Sequence, residues 1–186
     1  MIGLLAAWLT VSTAVADRNS DDLLVDQFGR EIAASTLKGH FLLVYFGFTS
    51  CPDVCPTALA TMSRTLDILG QDGRDVLPLF VTVDPQRDTV AVVRSYVEHF
   101  HPRLIGLTGS PTAVAAAQRA FAVTSKRGSP DAERKYPVDH SLFIYLAGPD
   151  GKVLKTFHAG QAPAAVADEV RAVMARTTSA AAGSQT

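Results

Sequence analysis

The sequence predicts an α/β protein in three layers, with helices on both faces of a central mixed sheet that ends in an antiparallel hairpin. Three observations carry this. The apolar run Phe41–Phe46, introduced by Gly39-His40, shows no polar alternation and so reads as a strand covered on both faces. A helical segment and a second apolar run, Leu79–Val83, follow and complete a βαβ unit, whose parallel strands cross over right-handedly. Near the C-terminus two short apolar runs flank Gly148-Pro149-Asp150-Gly151, where Pro in the second and Gly in the fourth turn position favour a type I turn.

Each element follows from local pattern. Pro56 to Leu69 carries Leu59, Met62, Leu66 and Leu69 at the spacing of one helix face, Pro56 suits a first helical turn, and Gly70 ends the helix. Asp88-Thr89 reads as the cap of a helix reaching about Phe100, and Ser110-Pro111 opens another that continues to Phe121. Leu104–Leu107 lies between them as a short strand. Leu142–Leu146 and Val153–Phe157 form the hairpin, and Pro163–Arg176 closes the domain as an amphipathic helix. There is no internal repeat. The order of elements points to a thioredoxin-like three-layer fold; the alternative, an all-parallel flavodoxin-like sheet, fits the terminal hairpin less well.

Composition bounds what such a domain can do. The 186 residues include 17 Lys and Arg against 18 Asp and Glu, for a net charge of -1, so no basic surplus exists to bind nucleic acid. Hydrophobic residues make up 47% and charged residues 19%, a globular balance, and the length favours a single domain, expected over residues 17–176. Residues 177–186 are small and polar and are expected to form a disordered tail.

Residues 2–16 contain no charge and end in Ala14-Val15-Ala16, the small-x-small pattern of a signal-peptidase site. At 1.5 Å per residue they span roughly 22 Å as a helix, short of a ~30 Å hydrocarbon core. Residues 1–16 therefore read as a signal peptide or a short N-terminal anchor. The chain is expected to be exported to the periplasm, with membrane contact only through this segment if it stays uncleaved. Outside the cytoplasm, two cysteines can persist as a disulfide unless something reduces them.

The chemistry concentrates in the turn after the Phe41 strand, which holds Cys51 and Cys55. Open α/β sheets bind ligands just outside the carboxyl ends of their strands. The turn also leads into a helix N-terminus, whose unpaired amides and dipole are expected to lower thiol pKa values. Positions i and i+4 project the same way, so both sulfurs can face one thiophilic ion, Cu(I) or Zn(II) among them. From spacing alone a structural disulfide is an equally good reading. His140 is the candidate third donor. If the strand after it runs antiparallel to Phe41–Phe46, its start lies beside the end of that strand, at the cysteine turn.

The remaining candidates read as structural. His99 and His101 sit near a helix C-terminus, and His40 and His158 flank strands without Cys or carboxylate partners at ligand spacing. Met62 belongs to a core face. Asp139 is expected to stabilise a turn, while Asp84 to Asp88 either shape the site or serve in a turn and a helix cap. Thr124–Pro137, with Lys126, Arg127, Arg134 and Lys135, reads as a solvated loop or a docking flap. No phosphate-binding, zinc-protease, serine-hydrolase or dinucleotide motif is present.

FGFTSCPDVCP (Phe46–Pro56), VTVDPQRDT (Val81–Thr89) and YPVDHS (Tyr136–Ser141) resemble the three signatures of the Sco/SenC family of copper chaperones for cytochrome c oxidase assembly. The resemblance runs from about Leu23 to Met174. It implies a thioredoxin-like fold, a periplasmic or intermembrane-space location, and copper bound by Cys51, Cys55 and His140; the two thiolates suit Cu(I), and the imidazole also suits Cu(II). It further implies copper delivery to, or thiol maintenance of, the Cu(A) site of cytochrome c oxidase. The implied partners are the Cu(A)-bearing subunit or an upstream copper donor, and a thiol reductase. Ser50 stands where many members carry His. The alternative function is a thiol:disulfide oxidoreductase that uses the same cysteine pair without stable metal binding.

Overall fold

The computed structural model describes residues 23–128 and 138–183, with the backbone alone for Arg127, Asp139, His140 and residues 181–183. Phe41–Gly47 (β3) is buried along its whole length, as a strand covered on both faces must be. It pairs in parallel with Val76–Thr82 (β4), which pairs in parallel with Ile105–Gly109 (β5). On the other side of β3, Phe143–Ala147 (β8) runs antiparallel, followed by Val153–His158 (β9). The turn between them is closed by the Gly151 amide donating to the Gly148 carbonyl at 2.8 Å. The expected hairpin edge is therefore present.

The far edge holds what sequence pattern does not reveal. Leu24–Asp26 (β1) and Glu31–Ile32 (β2) pair antiparallel, and β1 in turn pairs antiparallel with β5. The seven-stranded order is β2-β1-β5-β4-β3-β8-β9. Strands of two and three residues are too short to show a period, so these two escape pattern reading. A second, two-stranded sheet joins Ser125–Arg127 (β6), inside the segment that reads as a loop, to Val138–His140 (β7), just after it.

Five helices cover the sheet among the described residues, with Ala34–Leu37 (α1) the shortest. Phe80 and Gly106 lie toward Val54–Leu69 (α2) and Val90–Val97 (α3): Phe80 stacks on Tyr96, and a Cβ on Gly106 would stand 2.5 Å from Val93 Cγ1. Pro163–Gly183 (α5) lies beside α2, its Arg171 donating to the Ile68 carbonyl at 2.7 Å. On the opposite face Leu42, Val44, Phe46, Leu79, Val81 and Leu107 meet α1 and Pro111–Ala120 (α4) around an apolar cavity of about 290 Å³. The alanines of α4 are too short to fill it.

Two expectations need correction. Residues 177–183 are not a disordered tail, because α5 continues to Gly183, with Thr177 and Thr178 hydroxyls donating back to the Val173 and Met174 carbonyls. Small polar composition looks like a tail, yet alanine is the best helix former and can prolong an anchored helix. Residues 184–186 lie outside the described residues. Nor does Asp88 cap α3, whose N-cap Thr89 makes no side-chain cap bond; the Asp88 carboxylate turns inward instead.

Candidate metal centre

β3 ends at Gly47 and α2 begins at Val54, two residues earlier than Pro56, so Cys55 falls in the first helical turn. Neither cysteine is in a disulfide; Cys51 is partly exposed and Cys55 fully buried. The Cys55 amide donates to Cys51 Sγ at 3.4 Å, and the two thiols share a side-chain hydrogen bond. The spacing therefore does bring both sulfurs together at the carboxyl end of the parallel strands.

Their environments differ sharply. Cys55 Sγ is wedged against Gly47, and the buried Tyr45 hydroxyl donates to it at 3.8 Å. Burial pushes the Cys55 thiol up to about 12, and contact with Cys51 adds to the rise, while hydrogen bonds from the Phe48 backbone and Tyr45 oppose it. For Cys55 the expected lowering at a helix end is thus reversed, because desolvation of a thiolate outweighs the dipole. The helix-end amide serves the sulfur of Cys51, the one solvent can reach.

The Asp84–Asp88 turn clamps the site from below. Asp88 is fully buried; one carboxylate oxygen accepts from the Thr49 amide at 2.9 Å and the Thr82 hydroxyl at 2.6 Å, the other from the Thr49 hydroxyl at 2.6 Å. This ties the cysteine turn to the end of β4. The Val83 amide adds a bond to the Gly47 carbonyl at 2.8 Å. Buried Asp84 pairs with Arg87, whose guanidinium lies 5.5 Å from the Phe48 ring centroid. The motif shapes the loop, and the Asp84 carbonyl accepts from the Arg87 and Asp88 amides as a turn should.

β8 runs antiparallel to β3 with Ile144 opposite Tyr45, so the chain entering β8 passes the end of β3 that carries the cysteine turn. His140 ends β7 three residues before β8, its backbone opposite Ser125. The side chains of Asp139 and His140, and residues 129–137 with Arg134 and Lys135, lie outside the described residues.

Other histidines have structural partners. His99 Nδ1 lies 2.7 Å from the Ser95 carbonyl, His101 accepts from the Arg103 amide, and the His158 ring packs 4.9 Å from Phe143. Met62 is core. Sequence reading passed over Thr49, Thr82, Tyr45 and Tyr96. Tyr45 was within reach of it, since in a strand it shares a face with Gly47, two residues on.

Two sulfurs in contact, one accessible and one enclosed, form a donor pair suited to a soft ion or to disulfide formation. Comparison with known proteins narrows these choices. Residues 13–175 match the SCO1/SenC family. The chain is 44% identical over 141 residues to the SCO2-like protein of Rickettsia felis, covering 75% of this chain and 69% of that one. Among solved structures it is similar to Arabidopsis thaliana ScoI with copper bound, at 36% identity and a TM-score of 0.74, covering 83% of this chain and 96% of that one. It also resembles BsSco, described as a member of the Sco family of cytochrome c oxidase assembly proteins with a disulfide switch. There the identity is 25% and the TM-score 0.65, covering 81% of this chain and 90% of that one.

Proposed function

Because the chain belongs to the SCO1/SenC family, we propose that it is a copper-binding metallochaperone, with Cys51, Cys55 and His140 as the ligands of its cargo. The observation that carries this is the contact between the sulfurs of Cys51 and Cys55 after the carboxyl end of β3; β7, which ends at His140, leads into β8, the antiparallel neighbour of β3. The chain delivers copper to, or keeps reduced, the thiols of the Cu(A) site of cytochrome c oxidase. Its recipient is the Cu(A)-bearing subunit, and an upstream donor and a thiol reductase serve it.

The asymmetry of the pair supplies a transfer route. An incoming thiolate reaches the ion on the Cys51 side, which is accessible, while enclosed Cys55 keeps its hold until the new bond has formed. Imidazole and thiolate together also accept Cu(II), and oxidation of the pair to a disulfide removes both soft donors, so cargo and redox state are coupled. Residues 1–16 act as the export signal or anchor that places the domain in the periplasm. Among the described residues no helix is long and apolar enough to cross a membrane.

Anaerobic Cu(I) titration of the reduced protein tests the proposal. One ion should bind per chain, with most of the affinity lost in Cys51→Ser, Cys55→Ser and His140→Ala; unchanged binding in all three overturns it. The same reduced pair supports a second reading, a thiol:disulfide oxidoreductase, for which His140→Ala leaves thiol exchange intact and no copper is retained.

A further inference from the structure

The face of the sheet turned away from Cys55 encloses a space that its side chains do not fill. The cavity of about 290 Å³ lies between five strands, β1 to β5, and the helices α1 and α4. It is about twice the size of an engineered apolar cavity of roughly 150 Å³ that stays dry and takes up benzene or xenon. Every side chain that lines it is apolar, with Val44 and Phe46 from β3, Leu79 from β4 and Leu107 from β5 on the sheet side and Ala117 and Phe121 opposite.

Water has nothing to bond to there. An ordered water needs about two to four polar partners, and the amides and carbonyls of these strands are committed to their ladders. Nor can the walls close. The strands are held in register, the Ser110 hydroxyl caps α4 by accepting from the Ala113 amide at 3.0 Å, and Phe121 packs on Phe46 and Tyr145 at 5.4 and 5.9 Å between ring centroids. Protein interiors hold few voids larger than one water, because wall atoms that face empty space forfeit their dispersion contacts. An apolar guest restores those contacts. A charged or hydrogen-bonding guest would lose its hydration and find no partner.

The enclosure also has a way in. α1 has four residues, none of them buried, and no side-chain bond caps its start. α4 buries only Ala113 and Val114, whereas α2 on the other face buries eight residues. An element with so few buried contacts opens locally at low cost. The geometry points to a binding site for one small, uncharged, apolar molecule between the sheet and α4, entered past α1. It stands apart from the metal reading, because successive strand residues face opposite ways: Val44 and Phe46 line the cavity, while Tyr45 and Gly47 meet Cys55.

Benzene is the probe. Added to the full chain, it should bind saturably at one molecule per chain and raise the melting temperature, since it binds only the folded state. Benzoate, the same ring with a charge, should bind at least about a hundredfold more weakly. Methyl NMR shifts on addition of benzene should centre on Val44, Val81 and Leu107 and leave Leu59 and Leu66, in α2, unmoved. Ala117→Leu places a side chain in the space; it should melt no lower than the native chain and bind benzene about tenfold more weakly or not at all.

Absence of saturable binding, equal binding of benzoate, or shifts centred on α2 overturns the inference, as does undiminished binding by Ala117→Leu. If that variant fails to fold, the shift map and the benzoate comparison on the native chain decide. A chain that takes up benzene only after Leu4→Ser, Leu5→Ser and Trp8→Ser together would have its own N-terminal segment as the occupant, which also overturns the inference. Cys51→Ser should bind benzene as the native chain does whatever becomes of Cu(I), so failure of the chaperone reading and failure of this one are told apart.

Discussion

Cys55 Sγ occupies the place a side chain would take on Gly47: a Cβ there would stand 2.8 Å from the sulfur. The same Cβ would lie 3.0 Å from Tyr45 Cε1 and 3.1 Å from Phe80 Cε2, both in fully buried rings. None of the three can yield without disturbing the sheet. Gly47→Ala should therefore destabilise the fold by about 1–3 kcal/mol as an overpacking change. It should also push Cys55 outward. Thermal melting checks the first effect, and faster alkylation of Cys55 in the folded protein checks the second; an alanine variant with native melting and a protected Cys55 contradicts the packing.

Asp88 fastens the cysteine turn to β4, and its carboxylate is built to accept only. In Asp88→Asn an amide group would face the Thr49 and Thr82 donors, leaving at least one buried polar group without a partner. The expected loss is about 1–3 kcal/mol. In a double-mutant cycle with Thr49→Val, measured by urea unfolding, the two losses should be strongly non-additive. Simple additivity would show that the bonds contribute nothing.

How far these relations were legible depends on how local their causes are. The β3-α2-β4 unit, the hairpin and the pairing of Cys51 with Cys55 follow from periodicity, turn chemistry and an i to i+4 spacing, all of which act within a few residues. The antiparallel placement of β8 beside β3 followed from topology. What stayed hidden depends on tertiary context. The β1 and β2 pairing is specified by the open edge of β5, not by their own few residues. The direction in which the Cys55 thiol shifts is set by burial of its sulfur, which no spacing encodes. Asp88 looked like a cap because Asp-Thr before a helix usually is one, but two threonines from other segments compete for its carboxylate.

Acid stability should depend on Asp26, at the end of β1. Burial by itself would raise its pKa, but the Arg30 and Phe28 amides, each donating at 2.9 Å, and the Arg30 guanidinium outweigh this and hold it below the ordinary carboxylate range. A carboxylate with a depressed folded-state pKa contributes stability that is full above its unfolded pKa and is lost as pH falls through the folded one. Stability measured by urea unfolding should decline below about pH 4 in the native chain. Asp26→Asn should be less stable at neutral pH and show a flatter acid limb; identical limbs would refute the assignment.

Cys55 should act at the other end of the pH scale, with the opposite sign. Its thiol ordinarily ionises at 9.0 and in the folded chain holds its proton up to about 12. A group kept neutral by folding contributes stability fully present below its unfolded pKa, and this is lost as pH rises through the window from 9.0 toward about 12, because the unfolded chain ionises first. The reduced protein should therefore weaken above pH 9, measured by chemical unfolding under a reductant. Tyr45 and Tyr96, also raised by burial, contribute mainly above their ordinary value of 10.0, so the thiol dominates the onset near 9.0. At that onset Cys55→Ser, whose hydroxyl does not titrate, should show a shallower decline. Iodoacetamide under mildly alkaline conditions should modify Cys51 alone in the folded chain, with Cys55 following only on unfolding. Equal labelling of both cysteines, or a Cys55→Ser profile parallel to the native one, would show that the sulfur is not enclosed.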